Sequence, residues 1–176
     1  MDNATRQLVQ YAHCHRDPRN IATHYIGIPL IAFAIAALLS RARLDLGGLT
    51  LSADWMVWAL ATAWYLTLGQ RTLTLTTAGV LVALVALAHP LGVAPLDTWL
   101  GWSLGSFVVG WVFQFVGHFW EGRKPAFVDD LRGLLIGPMF VVAELGFALG
   151  AGRGLQSAID AAAGPVQRRS PAQRQA

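Results

Sequence analysis

The sequence predicts an all-α fold, a polytopic transmembrane helical bundle of four spans plus a fifth short or re-entrant apolar helix. Three observations predict it. Of 176 residues, 55% are hydrophobic and only 13% charged, about half the charged share of a soluble domain. The apolar residues come in runs of span length, at about 20 residues for each crossing of a bilayer core. Arg and Lys stand between those runs and form no basic face, so the net charge of +3 reads as orientation in a lipid bilayer, with no nucleic acid as partner.

At this length the chain holds a single integral membrane domain, residues 1–155, with no room for a large soluble module. Cys14 is the only cysteine, which excludes an intrachain disulfide and any CxxC site.

The elements follow in order. Residues 1–18 form an interfacial segment, weakly amphipathic, with Leu8 and Tyr11 one turn apart. Asp17-Pro18 starts a helix, since Asp caps free amides and Pro fits the first turn. The first span runs over about 19–39. It follows twenty polar or His-bearing residues without a basic leader, so it reads as a retained span and not a signal peptide. Pro29 should kink it. Residues 41–53, with Gly47-Gly48, read as a loop, and the second span covers about 54–68.

Gln70-Arg71 marks a tight return. The third span, about 73–88, stops at His89-Pro90, and the fourth covers about 98–120. Gly101 and Gly105, followed by Gly110, have the small-residue spacing that lets helices approach closely. A charged loop holding Asp129-Asp130 leads to an apolar helix over 133–150, interrupted by Gly137-Pro138 and carrying Glu144. Residues 156–176, rich in Arg, Gln and Ala, read as a disordered tail.

Arg6, Arg16 and Arg19 precede the first span, Arg71 follows the second, and Arg123, Lys124 and Arg132 follow the fourth. By the positive-inside rule the N-terminus is cytoplasmic. A full crossing by 133–150 would place Arg153, Arg168, Arg169 and Arg174 outside, so that run re-enters or lies flat. The compact loops favour a bacterial plasma membrane over the endoplasmic reticulum.

Two polar clusters then share the cytoplasmic side. Asn20 and His24 lie four apart on one helix face, just after His15. Gln114, His118 and Glu121 form a stripe at i, i+4 and i+7, which must face protein, water or metal because lipid would leave it unsatisfied. Imidazoles suit Fe, Zn and Cu, and three of them leave open positions on ferrous iron for substrate and molecular oxygen. His15, His24 and His118 are the candidate metal ligands, and Glu121 is a fourth ligand or an acceptor that fixes a ring tautomer. His13, beside Cys14, reads as exposed. His89 ends the third span roughly 25 Å from His118, and a tilted or re-entrant span would bring it in as a fourth ligand. Glu144 is either functional or a buried partner for Arg132 or for a helix-end carbonyl network.

The pattern Tyr11-x-x-x-His15-x-x-Pro18-x-Asn20-x-x-x-His24, with Gly27-Ile28-Pro29, resembles the N-terminal motif of the 2-hydroxy fatty acid dioxygenase family. Gln114-Phe115-Val116-Gly117-His118, with Glu121, Arg123-Lys124-Pro125-Ala126 and Leu135-Ile136-Gly137-Pro138, is similar to its C-terminal motif. The resemblance implies an Fe(II)-dependent dioxygenase of α-oxidation that shortens a long-chain 2-hydroxy fatty acid by one carbon. It maps the family's histidines onto His15, His24 and His118. It carries nothing over for residues 40–110.

A 2-hydroxy acid can chelate iron through its carboxylate and hydroxyl. Glu121 and Asn20 are the candidate catalytic residues, and Arg16, Arg19 and Lys124 are candidates to pair with the carboxylate. The rival reading is a bis-histidine haem carrier or a small transporter built around Glu144 and His24.

Overall fold

The computed structural model describes residues 1–126, 130 and 132–170. Helix α1 spans Asn3–Ala12, α2 Pro18–Leu39, α3 Ala53–Leu66, α4 Arg71–Ala88, α5 Leu96–Glu121, α6 Arg132–Ala148 and α7 Arg153–Ala163. Three of these segments are long and apolar enough to cross a membrane: Pro18–Leu39, Arg71–Val93 and Leu96–Glu121. The α6–α7 pair, bent by 114°, passes the same test only if counted as one broken span.

The expected second span is shorter than required. Helix α3 has 14 residues, about 21 Å at 1.5 Å per residue against the roughly 30 Å of a hydrocarbon core. The preceding segment, expected as a loop, is a β-hairpin. Strands Arg43–Leu46 and Leu49–Ser52 pair antiparallel with Leu46 opposite Leu49. The two-residue turn between them needs positive φ at both positions, which Gly47 (59°) and Gly48 (104°) adopt at no steric cost.

Helices α2 and α5 run antiparallel and form the tightest pair, and of the three glycines the spacing indicated only Gly110 lies in their contact. Gly101 and Gly105 face open space. A Cβ at Gly110 would lie 2.7 Å from Ile31 Cγ1 and 2.9 Å from the Gly27 carbonyl, and one at Gly117 would strike Thr23 and Asn20. The face of α5 that turns inward is therefore Ser103, Ser106, Gly110, Gln114, Gly117, His118 and Glu121, all buried. A glycine stripe read by spacing says that helices can approach, and only packing says on which face.

Helix α1 is not a free surface helix. Ala4, Leu8 and Ala12 are fully buried against α6 and α7. The expected disordered tail also differs, because α7 continues to Ala163 and the chain beyond it is pinned. Ile159 and Leu155, four apart, join the core around Leu8 and Phe140. The Gln167 amide donates to the Arg16 carbonyl and the Arg169 amide to Asp17 Oδ2. Glu144 pairs with Arg16 at 3.0 Å and not with Arg132, whose amide is bound to Asp130. Asp129 of the charged loop and Arg174 of the tail lie outside the described residues.

These contacts hold α6, α7 and residues 164–169 at the same end of the bundle as His15. Under them, between α2, α3, α4 and α5, lies an apolar cavity of about 320 Å³. From α2 it takes Ile28, Ile31, Ala32, Ile35, Ala36 and Leu39, one helix face about 16 Å long at 1.5 Å per residue. Tyr11, Gln114 and His118 lie at one end and Asp54 at the other.

Candidate metal centre

Each of three histidines is brought to the cavity's end by a different piece of backbone logic. His15 lies in the link between α1 and α2. The last carbonyls of a helix lack intrahelical partners, and the Tyr11 carbonyl accepts from the Cys14 amide at 3.2 Å and from His15 Nδ1 at 2.7 Å. Tyr11 also stacks on the His15 ring, with centroids 4.0 Å apart and planes 3° from parallel. His24 is inside α2, and its Nδ1 donates to the Asn20 carbonyl one turn back at 2.9 Å. His118 is in the last turn of α5, which Gly122 ends at φ 69°. That left-handed step swings the Arg123 carbonyl back to accept from His118 Nδ1 at 3.1 Å.

A carbonyl only accepts, so all three Nδ1 atoms carry the ring hydrogen and all three Nε2 atoms are bare lone pairs. The rings gather with centroids 4.6, 4.8 and 5.2 Å apart. One nitrogen from each lies within 4.8 Å of the others, and His15 Nε2 stands 3.0 Å from His24 Nε2. Two lone pairs at that distance repel unless a cation lies between them. Two imidazole nitrogens bound to one metal at about 2.1 Å and at right angles are about 3.0 Å apart, so the donor set fits a metal ion.

Protonation does not relieve the repulsion. His15 is fully buried, and burial, then the proximity of His24 and His118, holds its pKa well below the ordinary 6.5. The neutral ring is the form that binds metal.

Glu121 and Asn20 sit one layer behind. Glu121 is fully buried, and its Oε2 accepts from the amides of Arg16 (3.0 Å) and Asp17 (2.8 Å) and from Asn20 Nδ2 (3.1 Å). Its Oε1 pairs with Arg169 Nε at 2.8 Å. The carboxylate thus clamps the chain entering α2 to the end of α5, and no hydrogen bond joins it to an imidazole among the described residues. Main-chain carbonyls fix the tautomers. Asn20 donates through Nδ2 to the Cys14 carbonyl and to Glu121, while its own carbonyl orients His24.

Arg16 and Arg19, expected near a substrate carboxylate, are engaged elsewhere. Arg16 is 3% exposed and binds Glu144, Asp160 and the Gly164 carbonyl. Arg19 grips Asp17 through two nitrogens at 2.9 and 2.7 Å. Although burial pushes the Asp17 carboxyl upward, hydrogen bonds from the Arg19 side chain and from the Arg169 and Arg19 amides hold its pKa at about 2. His89 is not in the cluster and binds Asp54 at 2.8 Å. His13 is exposed.

Comparison with known proteins finds a family and a curated relative. The family described as 2-hydroxy-palmitic acid dioxygenase Mpo1-like matches residues 1–149, which contain all three histidines. The 2-hydroxy-palmitic acid dioxygenase MPO1 of Saccharomyces cerevisiae is 36% identical over 146 residues, 82% of this chain and 80% of the yeast protein. No solved structure matches. The chain belongs to the Mpo1-like family.

Proposed function

We propose that this protein is an Fe(II)-dependent dioxygenase that shortens long-chain 2-hydroxy fatty acids by one carbon within a lipid bilayer, with His15, His24 and His118 as the metal ligands. The observation that carries the reading is the bare Nε2 pair of His15 and His24, with His118 beside it, at the end of an apolar cavity. The name of the yeast relative specifies 2-hydroxy-palmitic acid, a molecule with a chelating head and a long apolar tail, which suits a cavity of this form.

Iron held here supplies dioxygen activation and a chelation point for the substrate's carboxylate and hydroxyl. The protein's own groups do the rest. The carbonyls of Tyr11, Asn20 and Arg123 keep the three rings in the metal-binding tautomer. The α2 face from Ile28 to Leu39 takes the acyl chain and keeps water from the head. Glu121 and Asn20 act as positioning residues that hold the His15 link against α5. Atoms balance when the 2-hydroxy acid and dioxygen give the acid one carbon shorter, carbon dioxide and water.

The 3.0 Å separation also weighs against a haem carrier, since two axial nitrogens must stand on opposite faces of a porphyrin, with its plane between them. Arg16, Arg19, Arg123 and Arg169 gather at the histidine end, which supports a site and an N-terminus on the cytoplasmic side.

The test is incubation of purified protein with Fe(II), oxygen and a long-chain 2-hydroxy acid, followed by chain-length analysis of the products. The acid one carbon shorter is the expected product. Retention of full activity and iron content in His15→Ala, His24→Ala and His118→Ala would sink the assignment.

A further inference from the structure

Two polar atoms on the cavity wall have no hydrogen-bond partner among the described residues, the acceptor Asp54 Oδ1 at the far end and a donor, Gln114 Nε2, at the histidine end. Gln114 lies one turn before His118 on α5, is 6% exposed and lines the cavity at its histidine end. Its Nε2 has no hydrogen-bond partner among the described residues. Two other donors on the wall are spent on carbonyls, Trp58 Nε1 on Ala78 and Tyr65 Oη on Leu135. A buried amide donor without a partner is rare enough in native structures to need an explanation.

The surroundings are shaped to keep that amide in place. A Cβ at Gly27 would lie 2.5 Å from Gln114 Nε2 and 2.8 Å from the Gly110 carbonyl, so only glycine on α2 leaves room for the side chain in the crease between the helices. Arg16 and Arg19 are bound to protein carboxylates. Gln114 is therefore a donor held free beside the three histidines, at the junction with the apolar wall.

We propose that Gln114 is a substrate-binding residue whose carboxamide N–H donates to an oxygen on the head of the long-chain 2-hydroxy acid, while the acyl chain fills the cavity. The inference rests on the 2-hydroxy acid reading of the site given above. A neutral donor suits this position, since it recognises an acceptor oxygen without adding a second charge to a head that the metal also holds. The acceptor is the carboxylate or the 2-hydroxyl, and the experiment separates the two.

The experiment measures equilibrium binding of 2-hydroxyhexadecanoic acid and of hexadecanoic acid to the iron-loaded, detergent-solubilised protein, alongside KM and kcat for the hydroxy acid. Gln114→Leu removes the donor, and the near-isosteric Gln114→Glu replaces it with an acceptor. Metal content and melting temperature serve as controls. Both variants should bind 2-hydroxyhexadecanoic acid at least about tenfold more weakly, with KM raised more than kcat is lowered and metal content unchanged. An equal loss for hexadecanoic acid identifies the carboxylate as the acceptor, and a loss confined to the hydroxy acid identifies the 2-hydroxyl.

Wild-type binding and KM in Gln114→Leu would overturn the proposal, as would weakening that only follows a loss of metal or of thermal stability. If the wild-type protein binds the hydroxy acid without shortening it, and the variants do not bind it, the dioxygenase reading fails and the Gln114 assignment stands. If wild type and Gln114→Leu shorten it equally well, only the Gln114 assignment fails. A wild-type protein that does not bind the acid overturns both.

Discussion

The Nε2 atoms of His15 and His24 lie 3.0 Å apart, and neither has a hydrogen to share, because each ring has given its N–H to a main-chain carbonyl. The arrangement stores repulsion that a bound cation removes, so metal binding and folding are coupled. Chelation of the purified protein should lower its melting temperature by several degrees. Added Fe(II) should restore it in wild type but not in His24→Ala. Scanning thermal denaturation with and without chelator checks this, and equal melting temperatures would count against a metal site.

Glu121 is expected to behave as a structural clamp. Glu121→Gln keeps the shape but removes the charge that two amides, Asn20 and Arg169 share. Hydrogen bonds to a charged group are worth about 1.5–3 kcal/mol, so stability should fall by roughly that amount in a denaturant titration. Metal stoichiometry should stay near that of wild type. A variant that loses its metal at unchanged stability would restore Glu121 as a ligand.

The close α2–α5 approach predicts unequal costs for the same substitution. Gly117→Ala drives a methyl into Thr23 and Asn20, whereas Gly105→Ala adds one in open space. Overpacking costs about 1–3 kcal/mol, so Gly117→Ala should destabilise by that much and reduce metal retention by displacing Asn20, the residue whose carbonyl orients His24. Gly105→Ala should be close to neutral. Comparable unfolding curves for the two variants would contradict the packing described.

Acidification should weaken the metal-free protein in a defined window. His15 has a folded pKa well below the ordinary 6.5, so as pH falls through about 6.5 the unfolded chain takes up a proton that the folded chain refuses. The unfolded state then binds more protons, and stability rises with pH in that range. Denaturation midpoints measured from about pH 8 to about pH 5 should fall, and His15→Gln should flatten the dependence.

The cavity predicts a chain-length filter. Ala32 lies midway along the α2 face that lines it, and Ala32→Phe would fill the passage beyond. KM for a long-chain 2-hydroxy acid should rise by about tenfold or more, while that for a much shorter one changes little. Product analysis across a series of chain lengths checks this, and an unchanged profile would place the acyl chain elsewhere.

Much of the architecture was legible because it follows from transfer free energy. The long apolar runs at 19–39, 73–88 and 98–120 correspond to α2, α4 and α5 within a few residues at either end. The misreadings came where pairing between distant segments decides. Helix α3 covers nearly the expected 54–68 but at 14 residues is short for a crossing, and the expected loop before it pairs as a hairpin. The tail looked disordered by composition, although Leu155 and Ile159 at i and i+4 already marked an apolar stripe, and its charges are held by Arg16 and Glu121. Gln114 stood in plain view on the stripe with His118 and Glu121, but a lone amide shows no unmet hydrogen bond until its neighbours are placed.

By itself the sequence determined that this is an apolar helical chain with its polar clusters beside particular span ends, since hydrophobic length and charge placement are local properties that need no partner. It also placed His24 with Asn20 and His118 with Glu121, since helical periodicity fixes which side chains share a face. Only the tertiary structure decided that His15 Nε2 meets His24 Nε2, that Glu121 turns to the Arg16 and Asp17 amides, and that Gln114 is left with a free donor. Those outcomes depend on how closely α5 approaches α2. That distance is set by Gly27, Gly110 and Gly117 acting across the interface, a relation no single segment contains.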